Sequence, residues 1–124
     1  MAEPAPEVEQ VVRDWLASKQ LGDREATAAL LSSYEGVLAV GTGAEEWFRG
    51  PDEFSDAHTS TGAFAAMIDS VEAHSSGSVA WAAVRVLVET GEPGGFPVRL
   101  TLVLTRDEGD GDWRIVQSHA SAPA

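Results

Sequence analysis

Three histidines, a Glu-Trp pair and an acidic loop are the parts of this 124-residue chain whose side chains suit binding or catalysis. Glu46 stands directly before Trp47. An indole floor beside a carboxylate suits an apolar ligand that carries one hydroxyl or carbonyl. The same pair also reads as a tryptophan closing the core with a solvated glutamate next to it. His58 titrates near neutrality in its unperturbed state, so it is a candidate acid or base and equally a structural histidine. His119, with Gln117 two residues before it, is either a catalytic imidazole or a hydrogen-bonding group at an interface.

Several chemistries are excluded by what stands at the required positions. Asp107, Glu108, Asp110 and Asp112 have the look of a calcium loop, but Ser118 occupies the place of the closing glutamate, so a solvated hairpin turn is expected. Gly41-Thr42-Gly43 lacks the third glycine of a dinucleotide fingerprint, because Glu46 stands there. His58, His74 and His119 form no i,i+4 pair, and the chain carries no Walker loop, HExxH or nucleophile elbow. With no cysteine, disulfides, thiolate nucleophiles, Cys-ligated zinc and iron–sulfur clusters fall away together. No metal and no cofactor is expected.

Charge narrows the partners. Eight Lys plus Arg against twenty Asp plus Glu give a net charge of −12, which argues against nucleic acid and anionic membranes. Met1-Ala-Glu-Pro-Ala-Pro is not basic and no apolar stretch long enough for a signal peptide or membrane span follows it, so a cytoplasmic protein is expected. With 44% hydrophobic and 23% charged residues the composition is globular.

The elements that must position these groups fall in two blocks. Val8, Val11, Val12, Trp15 and Leu16 have the one-faced spacing of a helix over 7–20, closed by Gly22. Asp23 is placed to cap a second helix over 24–32. Residues 37–40 form a short strand, and Pro51 with Asp52 and Glu53 opens a third helix over 51–62. Strands follow over 65–74, 79–90, 96–106 and 113–120. Helices first and a strand meander afterwards predict an α+β domain over 7–121, with the helices on one face of an antiparallel sheet and loose termini at 1–6 and 122–124.

Alternation along the strands sorts the two sheet faces. Ala80, Ala82, Val84, Val86, Val88, Leu100, Leu102 and Leu104, with Val116, Ser118 and Ala120, form a face ready to receive helices. Trp81, Arg85, Arg99, Thr101, Trp113, Gln117 and His119 fall on the other, together with Ile115. That second face is too apolar for bare solvent and too polar for a dry core, so a homodimer through the sheet is expected.

Two N-terminal helices, then Gly41-Thr42, Glu46-Trp47-Phe48, Gly50, Val79-Ala80-Trp81, Arg99-Leu100-Thr101 and the run Trp113 to Ser121, resemble a SnoaL-like protein of the nuclear transport factor 2-like superfamily over about residues 8–121. The resemblance implies a cone: a strongly curved antiparallel sheet around three helices, with an internal cavity and a dimer. It places Glu46 and Trp47 at the mouth of the cone. Trp15, Glu46, Trp47, His58 and Ser118 are therefore the candidate pocket residues, for a small and largely apolar molecule. The ketosteroid isomerase members of that superfamily need a carboxylate base, a tyrosine and a protonated aspartate. Here Gly41 or Thr42, Trp15 and Leu102 stand in those places, so that acid–base set is missing and no catalytic residue is assigned. Val86 and Leu102 occupy the positions of the arginines found in the kinase association domains. The resemblance leaves two functions open: a small-molecule binder, with proton transfer or dehydration as its chemistry, and a non-catalytic dimerisation module with a filled cone.

Overall fold

Val8, Val12, Trp15 and Leu16 are the large apolar residues that α1 (Pro6–Leu21) buries, as their spacing requires. Pro6 opens the helix, where a missing N–H costs nothing. Gly22 closes it in the left-handed region at φ 66°, its N–H returning to Lys19 O at 3.0 Å. The Asp23 carboxylate accepts from the Ala26 N–H at 3.1 Å and caps α2 (Arg24–Ala29). That helix stops short of residue 32 because the backbone is claimed by the sheet: Ser32 N donates to Ile115 O, and Ile115 N to Leu30 O, both at 2.9 Å. These features belong to a computed structural model that describes residues 2–60, 65–89, 95–106 and 111–122.

The remaining elements are β1 (Glu3–Pro4), β2 (Leu38–Val40), β3 (Trp47–Arg49), α3 (Gly50–Thr59), β4 (Ala66–Ser76), β5 (Val79–Val88), β6 (Phe96–Arg106) and β7 (Trp113–Ser121). They form a seven-stranded sheet in the order β1-β4-β5-β6-β7-β2-β3. Three helices pack on one face of this curved sheet, giving the expected α+β architecture. The sheet is mixed and not purely antiparallel, because β2 pairs parallel with β7, Ala39 facing Ser118. Bulges at Asp69 in β4 and Val116 in β7 break the ladders and bend the strands.

Residues 3–5 are not loose. Pro4 pairs with His74, the Ala5 N–H reaches Ala73 O at 3.1 Å, and Ala5 is buried. This pins the start of α1 over the Ala73 end of β4, so its last turns lie toward the Ala66 end.

The bulge at Val116 also overturns one face assignment. Val103 faces Gln117, but Leu104 already faces Ile115, so two-residue alternation breaks between them. Gln117 and His119 point outward as expected. Trp113 and Ile115 instead turn inward and are buried, at 4% and 0% exposure. The Arg106 guanidinium lies 4.5 Å from the centre of the Trp113 ring. Trp113 is a core residue of this chain and not part of the outer face.

Of the acidic loop, Asp107, Glu108 and Asp110 lie outside the described residues, and Asp112 pairs with Arg114 at 3.7 Å. The extension of α3 to residue 62 likewise passes outside them.

Candidate functional site

Between the last turns of α1, the α3 helix and the inner face of the sheet lies a cavity of about 240 Å³. Its sheet side is aliphatic: Ala66, Val86, Val88, Val98, Leu100 and Ala120. Its helix side is Trp15, Leu16 and Lys19 from α1, with Phe54, Ala57 and His58 from α3. These are the i, i+3 and i+4 positions that share one helix face. Ser118 contributes a hydroxyl from β7, and Ala39, Thr42, Glu46 and Phe48 close the remaining side.

His58 is the most deeply set titratable group of the lining, at 7% exposure. Its ring stacks on Trp15, centroids 4.2 Å apart and planes 14° from parallel, while Phe54 meets Trp15 edge-on at 6.2 Å. His58 Nε2 lies 3.0 Å from Trp15 O. A carbonyl only accepts, so Nε2 carries the proton and Nδ1 is left as the acceptor. Burial holds the ring well below its ordinary value, at about 4; the bond to Trp15 opposes that shift and nearby Lys19 adds to it. The imidazole is therefore neutral near pH 7.

Lys19 comes one turn after Trp15, and its Nζ donates to His58 O at 2.9 Å, tying α1 to α3. Burial lowers its pKa, and Glu46 across the mouth works against that shift. Glu46 is exposed at the rim, where the loop after β2 folds back on itself. Glu46 Oε1 accepts from the Gly43 N–H at 2.5 Å and from Thr42 Oγ1 at 3.5 Å. This fold-back needs glycine: a Cβ on Gly41 would sit 2.7 Å from Glu46 Cβ, and one on Gly43 2.7 Å from Glu46 Oε1.

Four of the five candidate pocket residues thus converge on one cavity: Trp15, Glu46, His58 and Ser118. Trp47 does not. Trp47 lies on the strand β3, whose alternation sends Phe48 into the cavity and Trp47 outward, 56% exposed. Trp47 is therefore not the pocket floor. Leu102, which the resemblance sets in the place of the isomerase aspartate, is sealed in the core at 1% exposure.

On the outer face Arg85, Arg99, Thr101, Gln117 and His119 are exposed, and Trp81 is 42% exposed and stacked on His74. Thr101 faces His119 directly across the ladder, and Arg85 faces Arg99 while pairing with Asp69 at 3.6 Å. Among the described residues no three His, Asp or Glu side chains gather as a metal-binding group, and no helix is long and apolar enough to cross a membrane.

Two lining residues were legible in the sequence without being singled out. Phe48 alternates with Trp47, so one of the two had to face inward. Lys19 follows Trp15 at helical spacing and is the only lysine in the chain.

A curved sheet wrapped round three helices, with an apolar cavity between them, defines a nuclear transport factor 2-like cone. The chain belongs to the SnoaL-like domain family, whose model matches residues 8–124. Solved structures share the fold at low identity. A candidate calcium/calmodulin-dependent protein kinase type II association domain from Thiobacillus denitrificans is 20% identical, with TM-score 0.80 over 98% of this chain and 97% of that one. A candidate dehydratase of the nuclear transport factor 2-like family from Streptomyces avermitilis is 18% identical, with TM-score 0.78 over 95% and 94%. A nuclear transport factor 2-like protein of unknown function from Pseudomonas putida is 20% identical, with TM-score 0.77 over 94% and 84%. No curated protein matches the sequence.

Proposed function

We propose that this SnoaL-like protein binds a small, largely apolar molecule in the cone cavity, with a hydroxyl or carbonyl directed at the polar mouth. The observation that carries this reading is the lining itself: aliphatic on the sheet side, with Lys19, Glu46 and His58 as close neighbours on the other. The cavity, at about 240 Å³, is smaller than a drug-sized pocket of roughly 300 Å³ or more, and larger than the roughly 150 Å³ that holds benzene. A ligand of about ten non-hydrogen atoms fits that volume. Lys19 is the donor for a ligand oxygen, and His58 Nδ1, on a ring neutral near pH 7, is an acceptor. Proton transfer or dehydration, if the protein is an enzyme, would run through Glu46 or that nitrogen. A cytoplasmic location completes the reading.

The test uses 2-naphthol, a fluorescent bicyclic phenol of suitable size. At roughly 0.5 kcal/mol per non-hydrogen atom, saturable binding with a Kd of about 100 µM is expected. Ala120→Leu, which fills part of the cavity, should weaken binding roughly tenfold while leaving the fold intact. An absence of saturable binding to the wild type would remove the ligand-binding reading.

The outer face supports a second proposal, a homodimer through the sheet, because Trp81 stands exposed between His74 and Val103 on the neighbouring strands. In that case Trp81→Glu strands a carboxylate in the interface and costs roughly 2 kcal/mol or more, about thirtyfold in dissociation constant. Sedimentation should report a dimer for the wild type and a monomer for the variant. A variant of unchanged mass would contradict the interface.

A further inference from the structure

All the chain's cationic side chains except one are arginine. The exception is Lys19, and it lines the cavity. We infer that Lys19 is an amine nucleophile that captures an aldehyde or ketone in the cavity as a reversible imine. This deepens the cavity reading above and rests on it.

Placement supports the role. Lys19 is half-buried in the last turn of α1, and the hydrogen bond from Nζ to His58 O at 2.9 Å holds the amine against a neighbouring wall of the same cavity. Arginine would make that bond as well and would feel the charge of Glu46 as well, so neither interaction requires lysine. What lysine alone offers is a nitrogen that can lose its proton and attack carbon. Burial already moves Lys19 in that direction, which enlarges its free-amine fraction at neutral pH. The aliphatic lining suits the hydrocarbon part of a carbonyl compound, and Glu46 at the rim suits proton exchange with solvent.

The chemistry balances without any further reagent. Neutral Nζ donates its lone pair to the carbonyl carbon, a C–N bond forms, and the carbonyl π pair moves to oxygen. That oxygen takes a proton while the nitrogen loses one, giving a carbinolamine. Protonation of its hydroxyl, with Glu46 as the relay, releases one water and leaves the iminium, which gives its N–H proton back to Glu46 to become the imine. Hydrolysis reverses every step, and nothing is oxidised or reduced.

The test treats the native protein with 2-naphthaldehyde and cyanoborohydride, which reduces any imine to a stable amine, and maps the adduct by peptide mass. With no other lysine, the competing amine is the N-terminus. In an unfolded chain the N-terminal amine, with the lower pKa, should dominate; in the native protein Lys19 should exceed it by roughly tenfold. Lys19→Arg should lose the internal adduct, since a guanidinium does not form the imine. Two results would overturn the inference: native labelling confined to the N-terminus, or Lys19 labelling equal in the native and guanidinium-unfolded chains. If 2-naphthol still binds in that event, the cavity reading stands and only the imine falls. If neither probe binds, both fall. The wild-type map decides the matter even if the variant fails to fold.

Discussion

Trp15→Ala is expected to destabilise the protein by about 3–5 kcal/mol, the range for removing a large buried aromatic. Trp15 is 3% exposed, supports the His58 ring by stacking and receives Phe54 edge-on. Its removal would merge a new void with the existing cavity, and the stiff sheet beneath gives the site little means to collapse. Against a total stability of about 5–15 kcal/mol, such a loss leaves the fold marginal or unfolded. Trp15→Phe should be much milder, for two reasons. Most of the ring volume survives, and the indole Nε1, buried without a hydrogen-bond partner among the described residues, is removed as well. Denaturant midpoints of the three proteins measure this. A loss below 1 kcal/mol for the alanine variant would mean that Trp15 is not what separates α1 from α3.

The second large effect is a dependence of stability on pH centred on His58. Its folded pKa of about 4 lies below the unfolded value near 6.5, so the unfolded chain binds the extra proton between those limits. Stability from keeping the ring neutral is present in full above pH 6.5 and is lost progressively down to about pH 4. The displacement corresponds to about 3 kcal/mol. His58→Phe is the control, because it keeps a ring against Trp15, and Trp15 O still accepts from Ser18 Oγ at 2.6 Å. Between pH 7 and pH 4 the wild type should lose about 3 kcal/mol more than this variant. Parallel curves would show that His58 is not buried as a neutral ring.

Much of this was legible from local pattern. The stripe from Val8 to Leu16, the Gly22 stop and the Asp23 cap are short-range signals, and each appears where its physics places it. The inner faces of β5 and β6 followed from alternation because those strands pair without interruption from Val79 to Val88. Trp113 was misassigned because a single extra residue, Val116, reverses the parity of every position before it, and a bulge has no periodic signal. Trp47 was misassigned for a related reason: β3 has three residues, too few for the pattern to say which of Trp47 and Phe48 faces inward, and it exists by pairing with β2. The parallel contact of β2 with β7, and the pairing of Pro4 with His74, join segments far apart in sequence. No local pattern encodes such contacts. The convergence of Trp15, Glu46, His58 and Ser118 was reachable because three of them lie on long, strongly patterned elements or next to well-marked turns.

A shallower depression of about 550 Å³, beside Leu21 and Met67, is larger in volume but open to solvent, with those two residues 73% and 61% exposed. It is the natural competitor for any apolar probe, so the location of binding tests the account more directly than affinity alone. Methyl NMR of the protein titrated with 2-naphthol resolves that location. The account predicts saturable shifts in the methyl groups of Val86, Val88, Val98 and Leu100, reaching one probe per chain. Shifts confined to Leu21, Met67 and Ile68, or no shifts at all, would contradict it.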